Sequence, residues 1–340
     1  MKIRMARLFE RLAGLRPVLL VLATVAGVST LSVAANAQQD GMLGDGEIQI
    51  LPVQGNVYML VGAGANITVQ AGDEGVLVVD TGGSAQLTDK IIAAIRMIST
   101  KPIRHVINTH VHSDHTGANE GIAAQGSTIA SFGGGGGNIT LEGEDETRAN
   151  GVAHENVLHR MVGEDIPFGA WPTDTYFAAQ KELFFNGEAI QIIHAPAAHT
   201  DGDSIIFFRR SDVISTGDVF LTTHYPVIDA ERGGSIQGIV AALNRILDLA
   251  IPAAKQEGGT MVIPGHGRLC DEADVLEYRD MVTIIRDRIQ NLVDQGLTLR
   301  GVMEARPTMD YDGRYGADTG SWTTSMFIEA VYRDLNGGRS

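Results

Sequence analysis

The stretch "INTHVHSDHTGAN", Ile107 to Asn119, places three histidines and an aspartate within six positions: His110, His112, Asp114 and His115. The whole chain holds only ten histidines, so this density needs a chemical reason. The run "IRHVINTH" (Ile103 to His110) that leads into it reads as a β-strand. A helical pattern from Ala85 to Ile98 precedes it, and the next helix is expected to start near Thr116. The cluster therefore falls at the carboxyl end of a strand, where α/β folds collect their ligands.

Working outward, the runs "IQILPV", "NVYMLVG", "NITVQAG" and "GVLVVDTGG" follow one another with Gly, Asn and Asp between them, the pattern of an antiparallel meander. Residues 131–150, "SFGGGGGNITLEGEDETRAN", break the pattern and read as a flexible glycine-rich insertion. They are not a phosphate-binding loop, because no Gly-Lys-Ser/Thr follows the glycines. Then "VAHENVLHRM" reads as helical, and a second strand series appears in "KELFFN", "EAIQIIHAP", "DSIIFFRR" and "DVISTGDVF". Helices over Ser235 to Leu249 and Asp271 to Asp294 flank the strand "TMVIPGHG", and "SWTTSMFIEAVYRDL" closes the chain as a helix. Two halves that each run from strands to helix suggest sheet packed on sheet with helices outside.

Three strand ends offer partners for the opening cluster: His199 in "APAAHTDGDS", Asp218 in "ISTGDVF" and His266 in "VIPGHGR". Each follows an apolar strand among Gly, Pro or small residues, which puts its side chain at a sheet edge. Five histidines and two aspartates form a nitrogen and oxygen donor set that suits zinc, and iron or manganese can also be held. Two divalent ions about 3.5–4 Å apart share a water, lower its pKa towards roughly 7 and supply a bridging hydroxide at neutral pH. Asp114, binding through one oxygen, keeps the other free to orient that nucleophile or carry a proton. His105, His159 and His194 lack such a context and are read as structural. The lone cysteine, Cys270, excludes an internal disulfide and carries only a weak nucleophile signal.

Composition narrows the function classes. A chain of 340 residues, 44% hydrophobic and 20% charged, is globular and large enough for a full core. The start carries Lys2, Arg4, Arg7, Arg11 and Arg16, then an uncharged apolar run from Val18 to Val33, then Ala35-Asn36-Ala37. That order is the one a secretory signal peptide shows, with residues 1–37 cleaved and an exported, periplasmic mature protein. The competing reading is an uncleaved membrane anchor, and the small-residue site at the end of the run favours cleavage. Without residues 1–37, which hold five basic groups and one acid, the formal charge moves from −15 to −19. Such acidity disfavours nucleic acid and anionic lipid as partners. The expectation is one hydrolase domain over 38–340, acting on a small molecule, in an oligomeric state the sequence leaves open.

From Ile48 to Asp294 the chain resembles the metallo-β-lactamase-fold hydrolase superfamily: "VVDTGG" with Asp80, "THVHSDH", His199, Asp218 and His266 stand in the five motif positions and in order. The resemblance implies an αββα sandwich, two mixed sheets with helices on the outer faces and the metals at one sheet edge. It implies that His110, His112 and His199 hold the first of two zinc ions, that Asp114, His115 and His266 hold the second, that Asp218 bridges both, and that Asp80 supports the site from behind. Zinc β-lactamases in this resemblance do not carry an aspartate at the Asp218 position, whereas thioesterase, lactonase and phosphoesterase branches do. The implied activity is hydrolysis of an ester, thioester, lactone or amide. A β-lactamase, a phosphoesterase and an iron-dependent persulfide dioxygenase are the alternatives. His224 and Tyr225 in "FLTTHYPVID" follow the bridging position and are expected near substrate as oxyanion donors.

Overall fold

The computed structural model describes residues 47–127, 148–164 and 166–337. The leader read over residues 1–37 lies outside the described residues, as does the body of the glycine-rich insertion. The last residues assigned to that insertion belong instead to the fold. Ala149 is buried in the core, Arg148 Nη2 donates to Gly169 O at 2.6 Å, and Asn150 opens a strand.

The four runs before the motif form β1 (Gln49–Gln54), β2 (Val57–Ala63), β3 (Ala65–Gly72) and β4 (Gly75–Val79), paired antiparallel in sequence. Helix α1 (Thr88–Ile98) crosses over to β5 (Ile103–Ile107), which lies parallel to β4. The motif itself coils into a single turn, α2 (Ser113–Thr116), followed by α3 (Asn119–Ala124), so helix begins three residues before the expected Thr116. The segment read as wholly helical divides. Asn150–His154 is strand β6, parallel to β5, and Glu155–Gly163 is α4. Val152 and Ala153 are buried among strands, so tertiary packing overrides their local helical pattern. The short β7 (Asp174–Tyr176) completes a seven-stranded sheet ordered β1 to β7.

The second sheet runs β13-β12-β11-β10-β9-β8. It comprises β8 (Gln180–Phe185), β9 (Glu188–His194), β10 (Ser204–Phe208), β11 (Val213–Ser215), β12 (Met261–Ile263) and the two-residue β13 (Cys270–Asp271). Helix α5 (Ile236–Leu249) carries the chain from β11 to β12, which pair in parallel. Then come α6 (Glu272–Asp294), α7 (Leu299–Glu304), α8 (Asp312–Tyr315) and α9 (Thr324–Gly337).

Strand alternation sorts the apolar residues into layers. Met59, Leu77, Val79 and Ile107 from the first sheet meet Ile190, Ile192, Ile206 and Phe208 from the second. The opposite faces of the same strands, through Leu60, Val76 and Val78, pack under Ile91 and Ile95 of α1 and Ile122 of α3. On the far side Ile193, Ile205, Ile214 and Val262 pack under α5, α6 and α9. Helix α6 shows why it stays there: Val275, Tyr278, Met281, Val282, Ile285 and Ile289 recur at helical spacing on its buried face. Asp271 and Asp274 close a capping box at its start. The expected αββα sandwich of two mixed sheets is the observed architecture. Among the described residues no helix is long and apolar enough to cross a membrane.

Candidate metal centre

The carboxyl ends of β4 and β5 fix the first half of the site. Asp80 follows β4 with φ 61°, a left-handed conformation that aspartate tolerates better than most residues. Its Oδ1 accepts from Thr109 N at 2.8 Å, and its Oδ2 accepts from Thr109 Oγ1 at 2.7 Å and lies 2.7 Å from His115 Nδ1. Since Nδ1–H donates to that carboxylate, His115 turns its Nε2 inward, the atom a metal would take by displacing a proton. The Thr109 hydroxyl, already donating to Asp80, accepts from His110 Nδ1 at 3.0 Å, so His110 also presents Nε2.

The second half comes from loops of the other sheet. His199 sits between β9 and β10, and its Nδ1 donates to Val227 O at 2.8 Å. His112 is bound the opposite way round: Nε2 donates to Asp229 Oδ2 at 2.8 Å, leaving Nδ1 to face His199 Nε2 at 2.8 Å. Asp218 follows β11 through Gly217, whose φ of 51° and close packing on Thr109 suit glycine. Asp218 Oδ1 lies 3.1 Å from His115 Nε2 and 3.6 Å from His266 Nε2, and its Oδ2 lies 3.8 Å from His199 Nε2. His266 Nε2 is 3.0 Å from Asp114 Oδ2. Gly265, just before His266, lies so close that a Cβ there would collide with Asp218 Oδ1.

All seven residues proposed as ligands from the sequence are thus brought together. The donor atoms of His110, His112 and His199 lie within 4.8 Å of one another, as do those of Asp114, His115, Asp218 and His266. These groups fit divalent cations for reasons internal to the protein. His110 Nε2, His115 Nε2 and Asp218 Oδ1 are buried and make no hydrogen bond, a costly state for polar atoms without a cation to bind. His112 Nδ1 and His199 Nε2, each left as an acceptor by its outer bond, confront one another.

Electrostatics agrees. Burial pulls His110 well below the usual imidazole range, helped by His115 and His199, and burial pushes His199 down to about 4. Burial works against charging His115, but Asp218 and Asp80 on either side hold it well above its ordinary value, two carboxylates calling for positive charge between them. Burial also opposes ionising Asp218, yet His115, His266 and His110 more than offset this and keep it a carboxylate.

The mouth is defined by exposure. The Asp114 side chain is 40% exposed and those of His112 and His266 23%, whereas His115, His199 and Asp218 are at 7% or below. His224 stands beside this opening, its ring 6.5 Å from that of His266. Its Nδ1–H is taken by Tyr225 O at 2.8 Å, so only Nε2 is left for a substrate, as an acceptor in the neutral ring. Tyr225 is not at the mouth. It is 1% exposed, stacks on Phe327, and donates its hydroxyl to Asp312 Oδ1 at 2.9 Å and Thr308 O at 3.2 Å. A large aromatic ring gains more from the core than the short loop can hold at the rim. Cys270 is buried on β13 and burial pushes its thiol up, which removes the nucleophile reading.

A family model described as the metallo-beta-lactamase superfamily matches residues 52–266. The chain belongs to the metallo-β-lactamase superfamily. Within the superfamily its relatives include a linear primary-alkylsulfatase of Pseudomonas sp., 24% identical over 66% of this chain and 46% of that protein. An alkyl/aryl-sulfatase of Saccharomyces cerevisiae is 21% identical over 85% of this chain and 49% of its own length. The chain spans about half the length of these curated relatives. Among solved structures, a stereoselective inverting sec-alkylsulfatase from Pseudomonas sp. matches with TM-score 0.64 and 17% identity over 84% of this chain and 50% of that one. The DIM-1 metallo-β-lactamase matches with TM-score 0.52 and 16% identity over 70% of this chain and 97% of that one. Both likenesses concern the superfamily fold.

Thr109, Val227 and Asp229, which orient the histidines from outside, were not visible in sequence. Thr109 carried the one available signal, a hydroxyl directly before His110.

Proposed function

We propose that the protein is a metal-dependent hydrolase that holds two zinc ions and cleaves an ester-type bond in a small molecule. The observation that carries this is Asp218: its two carboxylate oxygens face different donor sets, as a bridging ligand requires. His110, His112 and His199 would hold one ion, Asp114, His115 and His266 the other, with Asp218 shared. Imidazole and carboxylate without thiolate suit zinc in a catalytic setting. When bound, such a pair lowers the pKa of water towards roughly 7 and polarises a substrate oxygen.

The chain's own residues do the rest. Asp80, Thr109, Val227 O and Asp229 hold four imidazoles in fixed tautomers, so little reorganisation is needed during reaction. Asp114, the most exposed of the ligand side chains, takes the proton of the attacking water on a carboxylate oxygen and returns it to the leaving atom, oxygen in an ester or lactone, sulfur in a thioester, nitrogen in an amide. His224 Nε2 accepts from a hydroxyl of substrate or water at the rim.

Carboxylic esters, thioesters, lactones and amides are the first substrate reading. A second, sulfate esters, is favoured by the two sulfatase relatives. β-Lactams rank lower because of Asp218. The test is elemental analysis of the zinc-reconstituted protein together with hydrolysis of a lactone, a thioester, an alkyl sulfate, a phosphodiester and a β-lactam. Two metals and turnover of at least one ester class are expected. Fewer than two metals, or no turnover of any class, overturns the proposal. The leader supports export to the periplasm with the hydrolase domain as residues 38–340. Sequencing the amino terminus of periplasmic protein tests this, and an intact Met1 would refute cleavage.

A further inference from the structure

His112 alone among the oriented imidazoles of the centre offers Nδ1, and the group that imposes this is itself gripped from outside. Asp229 Oδ2, which accepts from His112 Nε2, also accepts from Arg232 Nη1 at 2.7 Å. Arg232 Nε in turn donates to Glu164 Oε1 at 2.7 Å, just past the end of α4. The same short segment is sewn to the His199 loop by backbone bonds: Asp229 N donates to His199 O at 3.0 Å, and Asp201 N donates to Arg232 O at 2.8 Å. Val227 O holds His199. Two ligands of one donor set therefore depend on residues 227–232, whereas His110 and His115 hang on Asp80 and Thr109.

We propose that Arg232 is a positioning residue for the His110, His112 and His199 set, fixing through Asp229 the tautomer and orientation in which His112 presents Nδ1. The guanidinium fork fits this task, since one edge engages Asp229 while Nε engages Glu164, and a lysine cannot make both contacts in fixed geometry. The side chain of Arg232 bonds to Asp229 and Glu164 and makes no hydrogen bond or ion pair with a ligand or with Asp114 or His266, so its influence is expected in one set. The inference rests on the dinuclear reading above for its metal consequence, but its structural core can be read without metal.

The experiment uses Arg232→Met and Arg232→Lys in the full chain. In metal-free protein, nitrogen-15 NMR of the imidazoles reads the His112 tautomer. Wild type is expected to hold Nε2–H, Arg232→Met to populate the other tautomer, and Arg232→Lys to recover part of the difference. Zinc affinity is then read by chelator competition in a His266→Ala background, which cripples the other set, and in a His199→Ala background, which cripples this one. Arg232→Met should weaken zinc roughly 10- to 100-fold in the first background and less than about twofold in the second. An unchanged tautomer, or equal losses in both backgrounds, overturns the proposal. Should Arg232→Met not fold, Glu164→Gln loosens the grip from outside and must show the same selective loss at smaller size. If wild type binds no zinc, the dinuclear reading fails while the tautomer result still decides the role of Arg232.

Discussion

The two ends of the sandwich both bury charge, and they treat it in opposite ways. At the end away from the metal centre, Glu188 is 3% exposed and every oxygen is used. Its Oε1 accepts from Gln70 Nε2 at 2.6 Å and Ser211 Oγ at 2.8 Å, and its Oε2 accepts from the backbone N–H groups of Arg210 and Ser211 at 3.0 Å. Asn186 and Asn56 extend this network to Glu74 and Ala71. At the other end His110, His115 and Asp218 are equally buried and leave inward-facing atoms unbonded. A buried polar group that is fully bonded holds the fold together, and one that is braced from outside but open inside is kept for a ligand.

The sharpest test of that contrast is Asp218→Ala. It should lose one metal and lower turnover roughly 10³-fold or more while far-ultraviolet circular dichroism stays native, because the residue serves the ions and not the fold. Near-normal turnover would mean the bridge is misassigned. Glu188→Ala should do the reverse. Leaving Gln70 Nε2 and two backbone N–H groups without their acceptor costs about 2–3 kcal/mol of stability in denaturant unfolding, with two metals and normal turnover per folded molecule. Loss of metal from the folded variant would erase the distinction between the ends.

Asp229→Ala probes the bracing itself. It should weaken zinc in the His112 set about 10- to 100-fold by chelator competition and change the melting temperature of metal-free protein little. A large drop in that temperature would move Asp229 from the site to the scaffold. The smallest effect is expected for Tyr225→Phe, which loses bonds to Asp312 and Thr308. About 1 kcal/mol of stability should go with KM unchanged for every substrate turned over, and a raised KM would restore the tyrosine to the mouth.

The ligands are legible because His199, Asp218 and His266 each follow a strand beside Gly, Pro or another small residue, and because the other four fall within six positions after β5. The layered fold was legible for a related reason: runs such as "GVLVV" and "SIIFF" are buried on both faces and read as strands without neighbours. What escaped was whatever depends on partners distant in sequence. Asp229 meets His112 across 117 positions, and nothing in "VIDAERGG" announces it. Val152 and Ala153 look helical until β5 and β7 are placed on either side. Tyr225 stands apart from its neighbour His224 at the mouth because the chain bends over residues 222–225, and the tyrosine ring is taken into the core by Phe327, Asp312 and Thr308.

Gly265 gives the centre a vulnerability of another kind. Seven residues are constrained by what their atoms can donate, but residue 265 is constrained by volume alone, since the space a methyl group would need belongs to Asp218 Oδ1. One added carbon at a position with no chemistry of its own would therefore press on the shared carboxylate while every ligand remained in the sequence. A scan for intact motifs would pass such a protein as functional, and only its shape would betray it.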